Sequence, residues 1–318
     1  MTVDVVTVGE AMLRLSVPPG SRLEETRSLN VHVAGAEANT AVALAALGRT
    51  VKWWSRLPDS PLGRRVAREL RAAGVDTSQV GWDADTRIGV YYVELAAPPR
   101  PVSVVYDRAD SAAAVMASDD FPLEELDSAR VAHLSGVTPA LSDSCRRLAL
   151  DFAEHARLGS CLLTVDVNYR AKLWSPEEAR RTLLEIGEGA DVVVLTREDA
   201  RDVFGYTGDI DAVLAKAQRA LAASAVVLTL GEQGAAWLSD HDSGHVAAHP
   251  TTIVDRLGAG DAFMAGVIEG LLTDDFERGV RIGTVLASLA LGTDGDHALT
   301  TSEEVLQVLE GGGRSVDR

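Results

Sequence analysis

The stretch Asp255-Arg-Leu-Gly-Ala-Gly-Asp261-Ala-Phe263 concentrates the residue types best suited to chemistry in this chain. A Gly-x-Gly loop feeding straight into a helix leaves backbone N–H groups unpaired at the positive end of the helix dipole. Gly258, Ala259 and Gly260 would thus form an anion site, suited to a phosphate or a developing oxyanion. Asp261 falls in the first helical turn beside that anion, although an acid there is also what an ordinary helix start carries. Another glycine, Gly35, sits at a strand-to-helix junction in Ala34-Gly-Ala-Glu-Ala-Asn39. Val165-Asp-Val-Asn168-Tyr-Arg170 ends a strand and brings Asn168 and Arg170 to the carboxyl edge of a sheet, where α/β proteins bind ligands. A hairpin would set Tyr91, Tyr106 and Arg108 near one another. A guanidinium there would suit a carboxylate or phosphate of a ligand.

These groups require strands that end, and helices that begin, around one place. Thr2–Val8 reads as a buried first strand and Ala36–Leu47 as an alanine-rich helix between Gly35 and Gly48. Val51–Ser55 reads as a strand, and Pro61–Ala73 as a helix opened by proline and closed by Gly74. Val131–Leu134, Cys161–Val167, Asp191–Leu195 and Ala225–Leu230 are short apolar strands, separated by helical stretches at Ser142–Arg157, Pro176–Ile186 and Ile210–Ala223. This alternation predicts a parallel sheet covered on both faces. Arg14–Val17, Leu29–Val33, Ile88–Leu95 and Val102–Asp107 break the rhythm, the last two joined by the turn AAPPRP. They predict a small accessory sheet acting as a lid. The body is expected over 1–12, 35–86 and 109–310, the lid over 13–34 and 87–108, and a disordered tail over 311–318.

Composition narrows the classes. The chain has 318 residues, 30 Lys+Arg and 47 Asp+Glu, for a formal charge of −17. Such a balance repels nucleic acid and anionic membranes. With 46% hydrophobic and 24% charged residues, the chain is that of a globular protein. The most apolar long stretch, near 282–292, is too short to span a bilayer. The opening MTVDVVTVGE lacks a secretory pattern, and Cys145 and Cys161 form no C-x-x-C pair, so a cytoplasmic setting with reduced thiols is expected. His241, His245 and His249 are interrupted by Ser243-Gly244 and followed by Pro250, which argues for a solvated hairpin and loop rather than zinc ligands. No Gly-x-Gly-x-x-Gly follows the first strand, against a nicotinamide dehydrogenase.

The Gly35–Asn39 helix start and the Gly-Ala-Gly-Asp loop together resemble the two signatures of the ribokinase-like (PfkB-type) carbohydrate kinases. The resemblance runs over essentially the whole chain. It implies an α/β fold, a ribokinase-like, doubly wound, mostly parallel sheet flanked by helices, with a small β-sheet lid. The implied activity is ATP-dependent phosphorylation of a sugar hydroxyl, with Asp261 as general base and Gly258, Ala259 and Gly260 donating N–H groups to the phosphoryl. Phosphoryl transfer needs little else beyond positioning and charge neutralisation. The absence of Gly-x-x-x-x-Gly-Lys-Ser/Thr distinguishes this cradle from a P-loop. Val226–Gly234 is similar to the family's nucleotide-site strand and turn. This implies nucleotide contacts from Thr229, Gly231 and Gly234, alongside Asn168, Arg170, Gly258 and Gly260. Where family members carry Asn-x-x-Glu stands Thr196-Arg-Glu-Asp199, so Glu198 and Asp199 are the carboxylates left to organise magnesium, through water. Arg256-Leu257 replace common threonines, leaving a potassium requirement open.

Leu134–Leu141, Asp166–Trp174 and Gly35 are similar to the 2-keto-3-deoxygluconate kinase branch. That similarity implies sugar-acid contacts from Gly35, Tyr91, Tyr106, Arg108, Arg170, Asp261 and Asp296, with the register of Asp296 against Asp294 open. The expected products are the 6-phosphate and ADP. Two alternatives stand: a fructokinase- or ribokinase-type enzyme, and a non-catalytic sugar- or nucleotide-binding regulator on the same scaffold, motivated by the altered Asn-x-x-Glu. Members often pair through their lid sheets, so a homo-oligomer is expected.

Overall fold

A computed structural model describes residues 3–95 and 100–311. Positions 96–99 of the expected AAPPRP turn, and the tail from 312, lie outside the described residues. The strands are β1 (Val3–Val8), β2 (Met12–Ser16), β3 (Asn30–Ala34), β4 (Val51–Pro58), β5 (Val80–Asp83), β6 (Gly89–Glu94), β7 (Ser103–Asp107), β8 (Ala129–Ser135), β9 (Leu162–Asp166), β10 (Val192–Thr196), β11 (Ala225–Thr229), β12 (Ala235–Ser239) and β13 (Ser243–Val246). The helices are α1 (Ala36–Ala46), α2 (Pro61–Ala72), α3 (Asp143–Leu158), α4 (Pro176–Gly187), α5 (Arg197–Asp202), α6 (Ile210–Leu221), α7 (Ala259–Leu272), α8 (Phe276–Leu291) and α9 (Ser302–Leu309).

One sheet runs β13-β12-β11-β10-β9-β8-β1-β4-β5. It is parallel from β11 to β5, with β12 and β13 antiparallel at one edge. Chain order reverses at β1, which pairs with β4 on one side and β8 on the other; such a switch point opens a crevice at the strands' carboxyl ends. Both faces are covered, and alternation along each strand divides the core. On β1, Val5 joins the layer of α1, α2, α7 and α8, whereas Val6 and Val8 join that of α3, α4 and α6. Trp53 and Trp54 on β4 likewise enter opposite layers.

The second sheet, β3-β2-β6-β7, combines an antiparallel β2–β3 pair, a parallel β2–β6 pair and an antiparallel β6–β7 hairpin. It corresponds to the four segments that break the strand–helix rhythm of the sequence. The strands β5, β12 and β13 extend the large sheet beyond the sequence expectation; β13 carries His245 in the hairpin that the Ser243-Gly244 punctuation predicts. No helix among the described residues is long and apolar enough to cross a membrane.

Candidate active site

Helix α7 begins without a side-chain cap. Its N-cap, Gly258, has a φ of 80°, and an added Cβ would meet the Asp296 carbonyl oxygen at 2.0 Å, so only glycine turns the chain into the helix here. Most other helices are capped by side chains: Ser60 opens α2, Ser142 opens α3 and Ser175 opens α4. The uncapped start leaves the first N–H groups of α7, around Ala259 and Gly260, available to an anion.

Asp261 sits in the first turn and is buried. Its Oδ2 accepts from the Asn39 side-chain amide at 2.7 Å, and its Oδ1 from the Asn168 amide at 3.2 Å. Thr40 donates to the Asp261 carbonyl at 3.1 Å. The first turn of α1, the loop after β9 and α7 thus converge on one carboxylate. Burial pushes Asp261 up to about 7; the Asn39 hydrogen bond and the charge of Arg170 oppose the rise, and Asp296 and Glu37 add to it. A carboxylate so placed can accept a proton near neutral pH. Asn168, with a left-handed φ of 41°, also donates to Asp166 at 3.0 Å. Arg170 is exposed, and its charge acts on Asp166, Asp199 and Asp261 alike.

On the side of the small sheet, Tyr91 donates to Asp296 Oδ1 at 2.6 Å, and Arg14 to Asp296 Oδ2 at 2.7 Å. Arg14 also pairs with buried Asp255, whose other oxygen accepts from the Leu257 N–H at 3.1 Å. Asp296 is buried and bonded to both Tyr91 and Arg14, whereas Asp294, its side chain 46% exposed, reaches Arg14 only at 3.8 Å, at the edge of the cluster. Tyr91 and Tyr106 are cross-strand partners with ring centroids 5.6 Å apart. The Arg108 guanidinium lies 5.6 Å from the Tyr106 ring centre and is paired with buried Glu10, which also accepts from Ser111 at 2.8 Å. Gly35 stands where an added Cβ would meet the Glu10 carbonyl oxygen at 2.1 Å, so it lets α1 start against that backbone.

Bordering the α7 start lies a cavity of about 790 Å³ that none of Tyr91, Asp296 or Arg14 lines. It gathers Thr229, Gly231, Gly234 and Glu198 with Ala259 and Gly260. Asp199 turns elsewhere: it completes a capping box with Thr196, its Oδ2 accepting from the Thr196 N–H at 3.1 Å and its own N–H donating to Thr196 Oγ at 2.9 Å. Burial raises its pKa, against Thr196 and Arg170. Among the described residues no group of three or more His, Cys, Asp or Glu is arranged to hold a metal.

Sequence reasoning passed over Arg14, Glu10 and the role of Asn39. Asn39 stood in a motif already singled out. Arg14 gave one signal, a charge inside the apolar strand Met12–Ser16.

The profile of the pfkB family carbohydrate kinases matches residues 3–302. A 2-dehydro-3-deoxygalactonokinase of Haloferax volcanii is 40% identical over 322 residues, covering 100% of both chains. A 2-dehydro-3-deoxygluconokinase of Thermoproteus tenax is 30% identical, over 97% of this chain and 94% of its own. Among solved structures, the 2-dehydro-3-deoxygluconokinase of Thermotoga maritima aligns with a TM-score of 0.90 at 32% identity, over 98% of this chain and 99% of that one. With a profile match spanning nearly the whole sequence and a kinase fold shared end to end, the chain belongs to the PfkB family of carbohydrate kinases.

Proposed function

We propose that this kinase transfers the γ-phosphoryl of ATP to the 6-hydroxyl of a 2-keto-3-deoxy sugar acid, the gluconate or its galactonate epimer. The observation that carries the reading is the placement of Asp261. It lies in the first turn of the uncapped helix whose Ala259 and Gly260 line the 790 Å³ cavity, held by Asn39 and Asn168 and close enough to Asp296 of the Tyr91–Arg14 cluster to feel its charge. The nucleotide occupies the cavity, and the sugar acid lies between Asp261 and the small sheet, which acts as its lid. Asp261 takes the hydroxyl proton as that oxygen bonds to the γ-phosphorus and the bond to ADP breaks. The N–H groups of Ala259 and Gly260 donate to the transferring oxygens, and Arg170 adds positive charge nearby. Gly258 contributes the turn that aims them.

Magnesium, when bound, would neutralise polyphosphate charge. Glu198, which lines the cavity, suits a water-mediated hold on it, whereas Asp199 is engaged by Thr196. Arg108 beside Tyr106 supplies the charge for the substrate carboxylate, with Gly35, Tyr91 and Asp296 around the sugar. The names of the two relatives divide between the epimers, which supports the class of acid rather than one member.

One observation favours a second reading, a kinase for a neutral sugar such as fructose or ribose: both guanidiniums under the small sheet already have acidic partners, Arg14 with Asp255 and Asp296, Arg108 with Glu10. A homodimer through the small sheet accompanies either reading. The sheet register aligns Val31, Leu15, Tyr92 and Val105 in one apolar row, and Val105 is 51% exposed.

The test is ADP release with magnesium and ATP against both keto-deoxy acids, gluconate, fructose, ribose and adenosine. Turnover confined to the keto-deoxy acids is expected. Turnover of fructose or ribose instead would replace the sugar-acid reading with the second one. ATP binding with no turnover of any sugar would point to a regulator.

A further inference from the structure

We infer that Arg256 is a phosphate-binding residue that holds the polyphosphate of the nucleotide, a role that rests on the nucleotide occupying the cavity beside α7. Among the described residues it is the one arginine or lysine lining that cavity. Two acids, Glu198 and Glu232, line it as well. The other ionisable lining residue, His249, is pushed below its ordinary pKa by burial and by Arg281, so it brings no charge at neutral pH. A chain with a formal charge of −17 and two carboxylates at this cavity would repel a triphosphate unless a cation stood there.

The position of Arg256 selects which part of the nucleotide it meets. It lies two residues before Gly258 and lines the same cavity as Ala259 and Gly260 of the uncapped helix start. The opposite character comes from Ile253, Pro250, Ala287 and Leu291, which give the apolar lining a base prefers. Arg256 thus shares the cavity wall with the helix start and adjoins it in the chain, which favours the phosphates over the base as its partner.

Its freedom also sets Arg256 apart from the other arginines here. Arg14 and Arg108 are committed to buried carboxylates, and Arg170 faces Asp166, Asp199 and Asp261. Arg256 is exposed and takes part in none of the ion pairs among the described residues. A planar guanidinium with no acidic partner, next to outward-facing N–H groups, completes a polyphosphate cradle.

The experiment is calorimetric titration of the wild-type chain, Arg256→Lys and Arg256→Ala with adenosine, ADP and magnesium-ATP. Loss of charge-assisted hydrogen bonds predicts that Arg256→Ala weakens ADP and ATP by roughly ten- to a hundredfold and adenosine by less than about twofold, with Arg256→Lys between. Equal ADP affinity in wild type and Arg256→Ala, or an equal loss for adenosine and ADP, would overturn the assignment while leaving the nucleotide site standing. A wild-type chain that binds none of the three ligands would remove the nucleotide reading and the assignment together.

Discussion

The Asn39 amide donates to Asp261 Oδ2 at 2.7 Å, joining residues 222 positions apart in the chain. Two glycine-bearing helix starts, on α1 and α7, thereby meet at one carboxylate. Asn39 does more than orient it, because its hydrogen bond stabilises the charged form against the burial that pushes Asp261 up to about 7.

Replacing Asn39 by alanine should therefore raise the Asp261 pKa further and deepen the activity loss on the acid side. The expected result is a kcat/KM profile whose acid limb moves to higher pH, so that the deficit against wild type is larger at pH 6 than at pH 9. A deficit of equal size at every pH would mean that Asn39 acts only on the shape of the site.

Arg14 ties β2 of the small sheet to the loop before α7 and to Asp296. Removing it by Arg14→Met leaves Asp255 and Asp296 buried without their cation, at a cost of about 3–5 kcal/mol. Urea unfolding should show that loss, with Arg14→Lys recovering part of it. Unchanged unfolding midpoints would show that the pair contributes nothing net.

For Arg108 the prediction concerns selectivity. Arg108→Ala should raise KM for a keto-deoxy acid by roughly tenfold or more, as loss of a charge-assisted contact predicts, and leave a neutral sugar little affected. Equal effects on both substrates would favour the neutral-sugar reading, in which Arg108 serves only Glu10.

What was legible in the sequence follows from range. The alternation of apolar strands and helices is local, and it located the parallel strands other than β5 and the separate small sheet. Gly258 and Asp261 were legible because a helix start imposes its chemistry on adjacent residues. Arg14 was not, since its partners Asp255 and Asp296 lie 241 and 282 positions away. A lone charge in a five-residue strand is otherwise indistinguishable from a solvent-facing one. The pairing of Arg108 with Glu10 was hidden for the same reason, at a separation of 98. Thr196-Arg-Glu-Asp199 had two local meanings, a capping box and a metal-organising turn, and the hydrogen bonds of Asp199 are those of the cap. The strand β5, Val-Gly-Trp-Asp, is too short and too polar to announce itself.

The most direct test of the central claim is the pH dependence of phosphorylation by wild type and Asp261→Asn, with nucleotide binding measured alongside. With Asp261 as the base, wild-type kcat/KM falls about tenfold per pH unit below a pKa near 7, because protonation removes the base. Asp261→Asn should keep its nucleotide affinity and lose on the order of 10²-fold or more in kcat. An Asp261→Asn enzyme that retains wild-type kcat and the same acid limb would contradict the account.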